Sequence, residues 1–123
     1  LARTVEQLFN ISCLVEAEDG VVLGNRGVST HLFRLAQEAV NNAVKHGKAH
    51  RVVIRLERAG DKLALKIVDD GIGLPPEGLK RSGLGLRIMT YRAQRIGGAL
   101  DLSPGDCGGT VVTCTFNPHT HET

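Results

Sequence analysis

A chain of 123 residues, 41% hydrophobic and 23% charged, is bounded to one ordinary globular domain with a real core. Its formal net charge is only +2, with Lys and Arg spread along the sequence, which argues against a nucleic-acid partner. No run of about 18 apolar residues offers a membrane span, and no secretory signal is visible. The sequence opens Leu1-Ala2-Arg3 without methionine, as expected of a piece of a longer protein. Three cysteines without a CxxC pair fit reduced, cytosolic thiols. Cys13 and Cys114 lie in strand-like runs, where cysteine is a small buried hydrophobe. Cys107, in the turn-like Asp106-Cys107-Gly108, has no neighbour that would make it a nucleophile.

Leu1, Val5 and Leu8 have helical spacing, and residues 1–8 read as the tail of an upstream helix, a residual linker. Phe9 to Ala17 predicts a strand, Asp19-Gly20 a turn, and Val21-Val22-Leu23 a short apolar run. Ser29 is placed to cap a helix running to about His46, with Gly47 as its stop. Leu32, Leu35, Ala36, Ala39, Val40, Ala43 and Val44 form its apolar stripe. His50 to Leu56 and Lys62 to Val68 alternate as two strands of a hairpin around Gly60-Asp61, with Val52, Ile54, Leu63, Leu65 and Ile67 facing the core. Residues 74–82 read as a short polar lid carrying Lys80 and Arg81. Leu84 to Ile96 predicts a second helix with Leu84, Ile88, Tyr91 and Ile96 inward, ended by Gly97-Gly98. Strands follow at Ala99 to Leu102 and Val111 to Phe116, and residues 117–123 read as a disordered tail. His119 and His121 in that tail are too few ligands for a structural metal site.

The order β, α, β, β, glycine loops, α, β, β predicts a two-layer α/β (α+β) sandwich: a mixed, mostly antiparallel sheet with helices on one face. No GxxxxGK[ST] is present, which excludes a phosphate-loop NTPase.

The chemistry gathers around Val68-Asp69-Asp70-Gly71-Ile72-Gly73, where a strand ends on two carboxylates and turns on glycines. A second glycine cluster, Ser82-Gly83-Leu84-Gly85-Leu86, opens the second helix. On the first helix Glu38 and Asn42 share a face, with Lys45 three residues on. Such a face is ordinarily just solvated. Asn41-Asn42 in mid-helix argues for another use, because asparagine is a poor helix former. An acid, two glycine turns and a polar helix face suggest a nucleotide pocket.

Four motifs in order then carry a family resemblance. Gln37 to His46 (QEAVNNAVKH) resembles the asparagine box of histidine-kinase ATP-binding domains. Asp69-Asp70-Gly71-Ile72-Gly73 resembles their first glycine box, Gly83-Leu84-Gly85-Leu86 their second, and Gly108-Gly109-Thr110 their terminal Gly-Thr element. The resemblance covers about residues 9–116 and extends to the wider ATPase superfamily of gyrase, the Hsp90 chaperones and MutL, which share the Bergerat-type fold. The asparagine-box wording and the short lid, which lacks phenylalanine, are most similar to sensor kinases related to nitrate and membrane-fluidity sensors.

That resemblance implies a set of roles. Asp69 would accept a hydrogen bond from the adenine amino group, with Gly71 and Gly73 letting the backbone approach the base and Thr110 supporting that end. Asn42 would coordinate Mg²⁺, Glu38 would act near the γ-phosphate, and Lys45 and His46 would make phosphate-side contacts. The Gly83-Leu84-Gly85-Leu86 segment would present backbone N–H groups to the phosphates at a helix start. The implied cofactors are ATP and Mg²⁺. The implied partners are a dimerising helical phosphoacceptor domain of the same parent and a downstream response regulator, in the cytoplasm, with no direct membrane contact by this piece. An anti-sigma-factor-type serine kinase, a stand-alone ATPase of the same superfamily and a nonenzymatic binding module are the rival readings.

Overall fold

Side-chain alternation decides the sheet. In the computed structural model, which describes residues 12–17, 26–45, 48–72, 84–105 and 108–117, strands β2 (Arg51–Ala59) and β3 (Lys62–Asp69) pair antiparallel around Gly60. Val52 and Ile54 of β2 and Leu63, Leu65 and Ile67 of β3 are buried on one face, as their period-two spacing predicts. β5 (Thr110–Phe116) pairs with β3 and puts Val112, Cys114 and Phe116 on the same face. β4 (Ala99–Pro104) pairs antiparallel with β5 at one edge. β1 (Ser12–Ala17) pairs parallel with β2 at the other, so the sheet order is β1-β2-β3-β5-β4. The opposite face is mixed: Lys66 pairs with Glu57 at 2.6 Å and Arg55 with Glu16 at 3.2 Å, beside buried Ala64 and half-buried Val53, Val68 and Val111. Such exposed pairs add little stability.

Among the described residues, two helices cover the apolar face. α1 (Arg26–Lys45) buries Val28, Leu32, Leu35, Ala36, Ala39, Val40 and Ala43, a stripe at helical spacing, with Val44 packed beside it. α2 (Leu84–Arg95) buries Met89 and Ala93, followed by Ile96, and packs on α1. Across this seam Arg92 Nη1 lies 3.2 Å from His31 Nδ1. The core is one cluster drawn from both helices and from β2, β3 and β5. Phe116 is 1% exposed within it. We expect Phe116→Ala to reduce unfolding free energy by about 3–5 kcal/mol, read from the urea midpoint at unchanged slope.

The predicted element order is the observed one, with local corrections. Ser29 does not cap α1: the helix already begins at Arg26, and Ser29 sits half-buried inside it. Burial of Val28 at 1% exposure draws this earlier turn into the packed helix. Tyr91 is not a core residue. It is 52% exposed, with the Arg92 guanidinium 5.6 Å from its ring centroid. The inward register of α2 runs through Met89 and Ala93 to Ile96, which is buried as expected, while Ile88 is half-buried. Gly97 ends α2 as predicted, at φ +67°: its N–H donates to the Gln94 carbonyl and that of Gly98 to Ala93. β5 starts one residue early, at Thr110, and β4 runs on to Pro104. The expected linker, the Val21–Leu23 run, the Gly47 stop, the lid and the tail beyond Asn117 lie outside the described residues, and β1 is described only from Ser12.

Candidate functional site

The apolar series of β3 ends in a carboxylate. Leu63, Leu65 and Ile67 face the helices, and Asp69, two residues further, continues their face. On β5 the series Phe116, Cys114 and Val112 ends likewise in Thr110. Asp69 and Thr110 are the two buried polar residues among those described, at 9% and 8% exposure. At this end of the sheet the hydrocarbon core gives way to hydrogen-bonding groups.

Asp69 is held in place by its neighbours. Its Oδ1 accepts the N–H of Gly71 at 2.8 Å and that of Thr110 at 3.3 Å. Burial pushes its carboxyl above the ordinary value of 3.8; the two amides pull it down without cancelling that effect, and the neighbouring Asp70 charge adds to the rise. Beside it, the Gly105 N–H donates to the Gly109 carbonyl at 3.1 Å. Gly109, at φ +76°, lies against the Asp69 backbone: a Cβ there would fall 2.0 Å from the Asp69 carbonyl oxygen.

The other predicted residues divide by element. Glu38 and Asn42 are half-buried on one face of α1, and neither side chain has a hydrogen-bond partner among the described residues. The end of α1 is tied to the same end of the sheet: Ala49 N–H donates to the Ala43 carbonyl at 2.9 Å, Lys48 takes a left-handed φ of 53°, and His50 and Arg51 donate to the Asp70 carboxylate. Lys45 is the last residue of α1, and Leu84, Gly85 and Leu86 form the first turn of α2. Leu86 packs partly on the core. His46, Gly73, Gly83, Lys80 and Arg81 lie outside the described residues.

The structure thus gathers Asp69, Gly71 and Thr110 by contact. It places the Asn42 end of α1 at the same sheet end. Sequence reasoning missed Gly109 as a site residue, although it quoted the Gly108-Gly109-Thr110 triplet; a glycine immediately before the predicted Thr110 was the available signal. It also gave Asp70 no role, and the amides that Asp70 holds lie too far away in sequence to suggest one.

Comparison with known proteins agrees with this architecture. Residues 27–120 match the family described as Histidine kinase-, DNA gyrase B-, and HSP90-like ATPase. Over 88 residues the chain is 38% identical to the sensor histidine kinase LiaS of Bacillus subtilis, covering 72% of this chain and 24% of that protein. It is 35% identical over 88 residues to the nitrate/nitrite sensor protein NarX of Escherichia coli, covering 72% of this chain and 15% of that one. The chain therefore spans a quarter or less of these relatives. Among solved structures, the histidine kinase domain of the Erythrobacter litoralis EL346 blue-light activated histidine kinase superposes at TM-score 0.75 and 25% identity, over 94% of this chain and 57% of that one. The mycobacterial sensor histidine kinase MprB does so at TM-score 0.72 and 25% identity, over 93% and 88%. With its four motifs in order on this sheet-and-helix frame, the chain belongs to the histidine kinase-, gyrase- and Hsp90-like ATPase family, as an ATP-binding domain of histidine-kinase type.

Proposed function

We propose that this chain is the Mg-ATP-binding catalytic domain of a sensor histidine kinase. It would supply the γ-phosphoryl group for a histidine on a separate helical dimerisation domain of the same parent, with a response regulator downstream. The observation that carries the reading is Asp69: a buried carboxylate at the end of β3 whose Oδ1 is taken by two backbone amides. Oδ2, which takes neither bond, suits the adenine amino donor. Gly109 packs so closely on Asp69 that a side chain there would collide with the Asp69 backbone, which fixes this end of the site.

The remaining residues fit the phosphate end by donor type. Asn42 offers the hard amide oxygen that Mg²⁺ accepts beside phosphate and water oxygens. Glu38, on the same face of α1, is the acid suited to orient the attacking group. Backbone N–H groups in the first turn of α2, at Leu84, Gly85 and Leu86, suit phosphate oxygens, as a helix N-terminus does. Lys45, His46, Gly73 and Gly83 remain assigned through the motifs. Bound Mg-ATP would supply the transferable group, and the protein's part is positioning and charge stabilisation.

The names of the relatives favour a sensor kinase over a serine kinase or a stand-alone ATPase, and nitrate/nitrite sensors are among them. We extend the reading to that sensor group and to a cytoplasmic position; no described helix is long and apolar enough to cross a membrane. Calorimetric titration with a non-hydrolysable ATP analogue tests the proposal. Wild type should bind more tightly with Mg²⁺, and Asn42→Ala should lose most of that strengthening, about tenfold in Kd. Failure of a folded wild-type sample to bind would remove the reading. Transfer of labelled phosphate to a histidine within this chain would remove the separate acceptor.

A further inference from the structure

The turn after β3 carries a second carboxylate in a different setting. Asp70 is exposed, yet its Oδ1 accepts the N–H of both His50 and Arg51 at 2.9 Å. Its own N–H donates to the Arg51 carbonyl at 3.2 Å. An aspartate in a tight turn ordinarily bonds the amide two residues on; here Asp69 makes that bond, to Gly71. Asp70 instead reaches back to the residues that lead into β2.

Those residues belong to the connection that leaves α1. The β2–β3 ladder ends at Val52 and Asp69. Asp70 extends the tie beyond it, through Arg51 to His50. Next to His50, Ala49 closes back on the Ala43 carbonyl at 2.9 Å, one residue past Asn42. A continuous path therefore runs from the last turns of α1, through residues 49–51, to the Asp70 carboxylate and the turn that holds Asp69 and Gly71.

We propose that Asp70 is a positioning residue of the nucleotide site: its carboxylate pins the Asp69–Gly71 turn to the connection that ends α1, and so sets the separation of Asp69 from Asn42. The proposal rests on the Mg-ATP reading above. The amides it holds lie at an exposed edge, where water can replace a lost acceptor with little loss of fold stability. What is lost with Asp70 is the fixed distance between two ends of one ligand, and small misplacements of binding groups have large effects.

The test compares wild type, Asp70→Ala and Asp70→Asn by titration with the ATP analogue, with and without Mg²⁺, and by amide hydrogen exchange. Asp70→Ala should weaken Mg-analogue binding about tenfold and shrink the Mg²⁺ strengthening. Its fraction of binding-competent molecules should stay that of wild type, and exchange at His50, Arg51 and Gly71 should accelerate. Asp70→Asn keeps an acceptor oxygen and should return the affinity to within about twofold of wild type. Equal impairment of the two variants would show that charge matters rather than the clamp, and would overturn the proposal. So would undiminished Mg²⁺ strengthening in Asp70→Ala, or a loss that shows only as fewer competent molecules. If wild type binds no analogue, the Mg-ATP reading falls separately. Exchange then decides the pin: unchanged rates at Gly71 in Asp70→Ala overturn it, and faster rates uphold it.

Discussion

Gly109→Ala is expected to abolish analogue binding and to lower unfolding free energy by about 2–5 kcal/mol, combining left-handed backbone strain with overpacking. The added Cβ would lie 2.0 Å from the Asp69 carbonyl oxygen, 2.8 Å from its carbon and 2.9 Å from Oδ1. The first two obstacles are backbone, so no rotamer change relieves them. Either β3 or the turn before β5 must move, and either movement displaces the Asp69 carboxylate from the Thr110 amide. Gly60→Ala is the matched control. Gly60 has a similar φ of +67° but nothing within 4 Å of its Cβ position, so it should show only the backbone strain of about 1–2 kcal/mol. Urea unfolding and titration of both variants decide the matter. If Gly109→Ala proves no worse than Gly60→Ala, the close packing against Asp69 is refuted.

Asp69→Asn should separate binding from stability. Analogue affinity is expected to fall about a hundredfold, on the scale of a lost hydrogen bond to a charged group. The substituted side chain has little choice of orientation. Its carbonyl oxygen is needed where the Gly71 and Thr110 amides donate, so its NH₂ must occupy the place of Oδ2 and meet the adenine amino group donor to donor. Stability should move the other way. The folded-state pKa of Asp69 is raised above 3.8, chiefly by burial. Its protonated form therefore stabilises the fold fully below pH 3.8, and that contribution is lost as pH rises through the raised value. At neutral pH the ionised group is a burden, which the amide does not carry. Melting at pH 7 should accordingly be no lower in Asp69→Asn than in wild type. Wild-type affinity should fall on acidification as the carboxylate takes up a proton. A variant that binds like wild type would remove Asp69 from the ligand contact; a clear drop in melting temperature would contradict the linkage.

Its neighbour has the opposite linkage. Desolvation is the largest single influence on Asp70 and opposes its ionisation, but the Arg51, His50 and Asp70 amides and the His50 charge together outweigh it, and the folded pKa lies below 3.8. The contribution of Asp70 is present above pH 3.8 and is lost as pH falls through its lowered value. Two adjacent aspartates of one motif thus respond to acid with opposite signs, because one faces the core and the other faces the β2 entry.

What the sequence displayed was periodic or local. Val52 and Ile54, then Leu63, Leu65 and Ile67, alternate as a half-buried sheet must, and the α1 stripe repeats at helical spacing. Gly97 marked its helix end by chemistry that needs no tertiary partner. The misplaced residues depended on packing. Tyr91 is large and apolar enough to be read inward, but its position on α2 points it outward, and Val28 pulled the start of α1 past the expected Ser29 cap. The parallel partnership of β1 with β2 has no local signature at all. In the site, Asp69 and Thr110 could be named from motifs. The triplet pointed to Gly109 only by adjacency, and its contact with the Asp69 backbone, like the Asp70 clamp, could not be read, because each joins residues that only the sheet register brings together.

Cys114 gives the fold an internal clock. The side chain is completely buried between the sheet and the helices, and burial pushes its thiol up to about 11. The reactive species of cysteine is the thiolate, which needs both ionisation and access. An alkylating reagent therefore meets Cys114 only after the sheet has parted from its helices. Its modification, followed at that peptide by mass spectrometry, counts openings of the whole core rather than fraying at its edges. A nucleotide that holds the Asp69 end of β3 should slow that clock in proportion to its binding, so a residue remote from any ligand reports occupancy through the cooperativity of the fold.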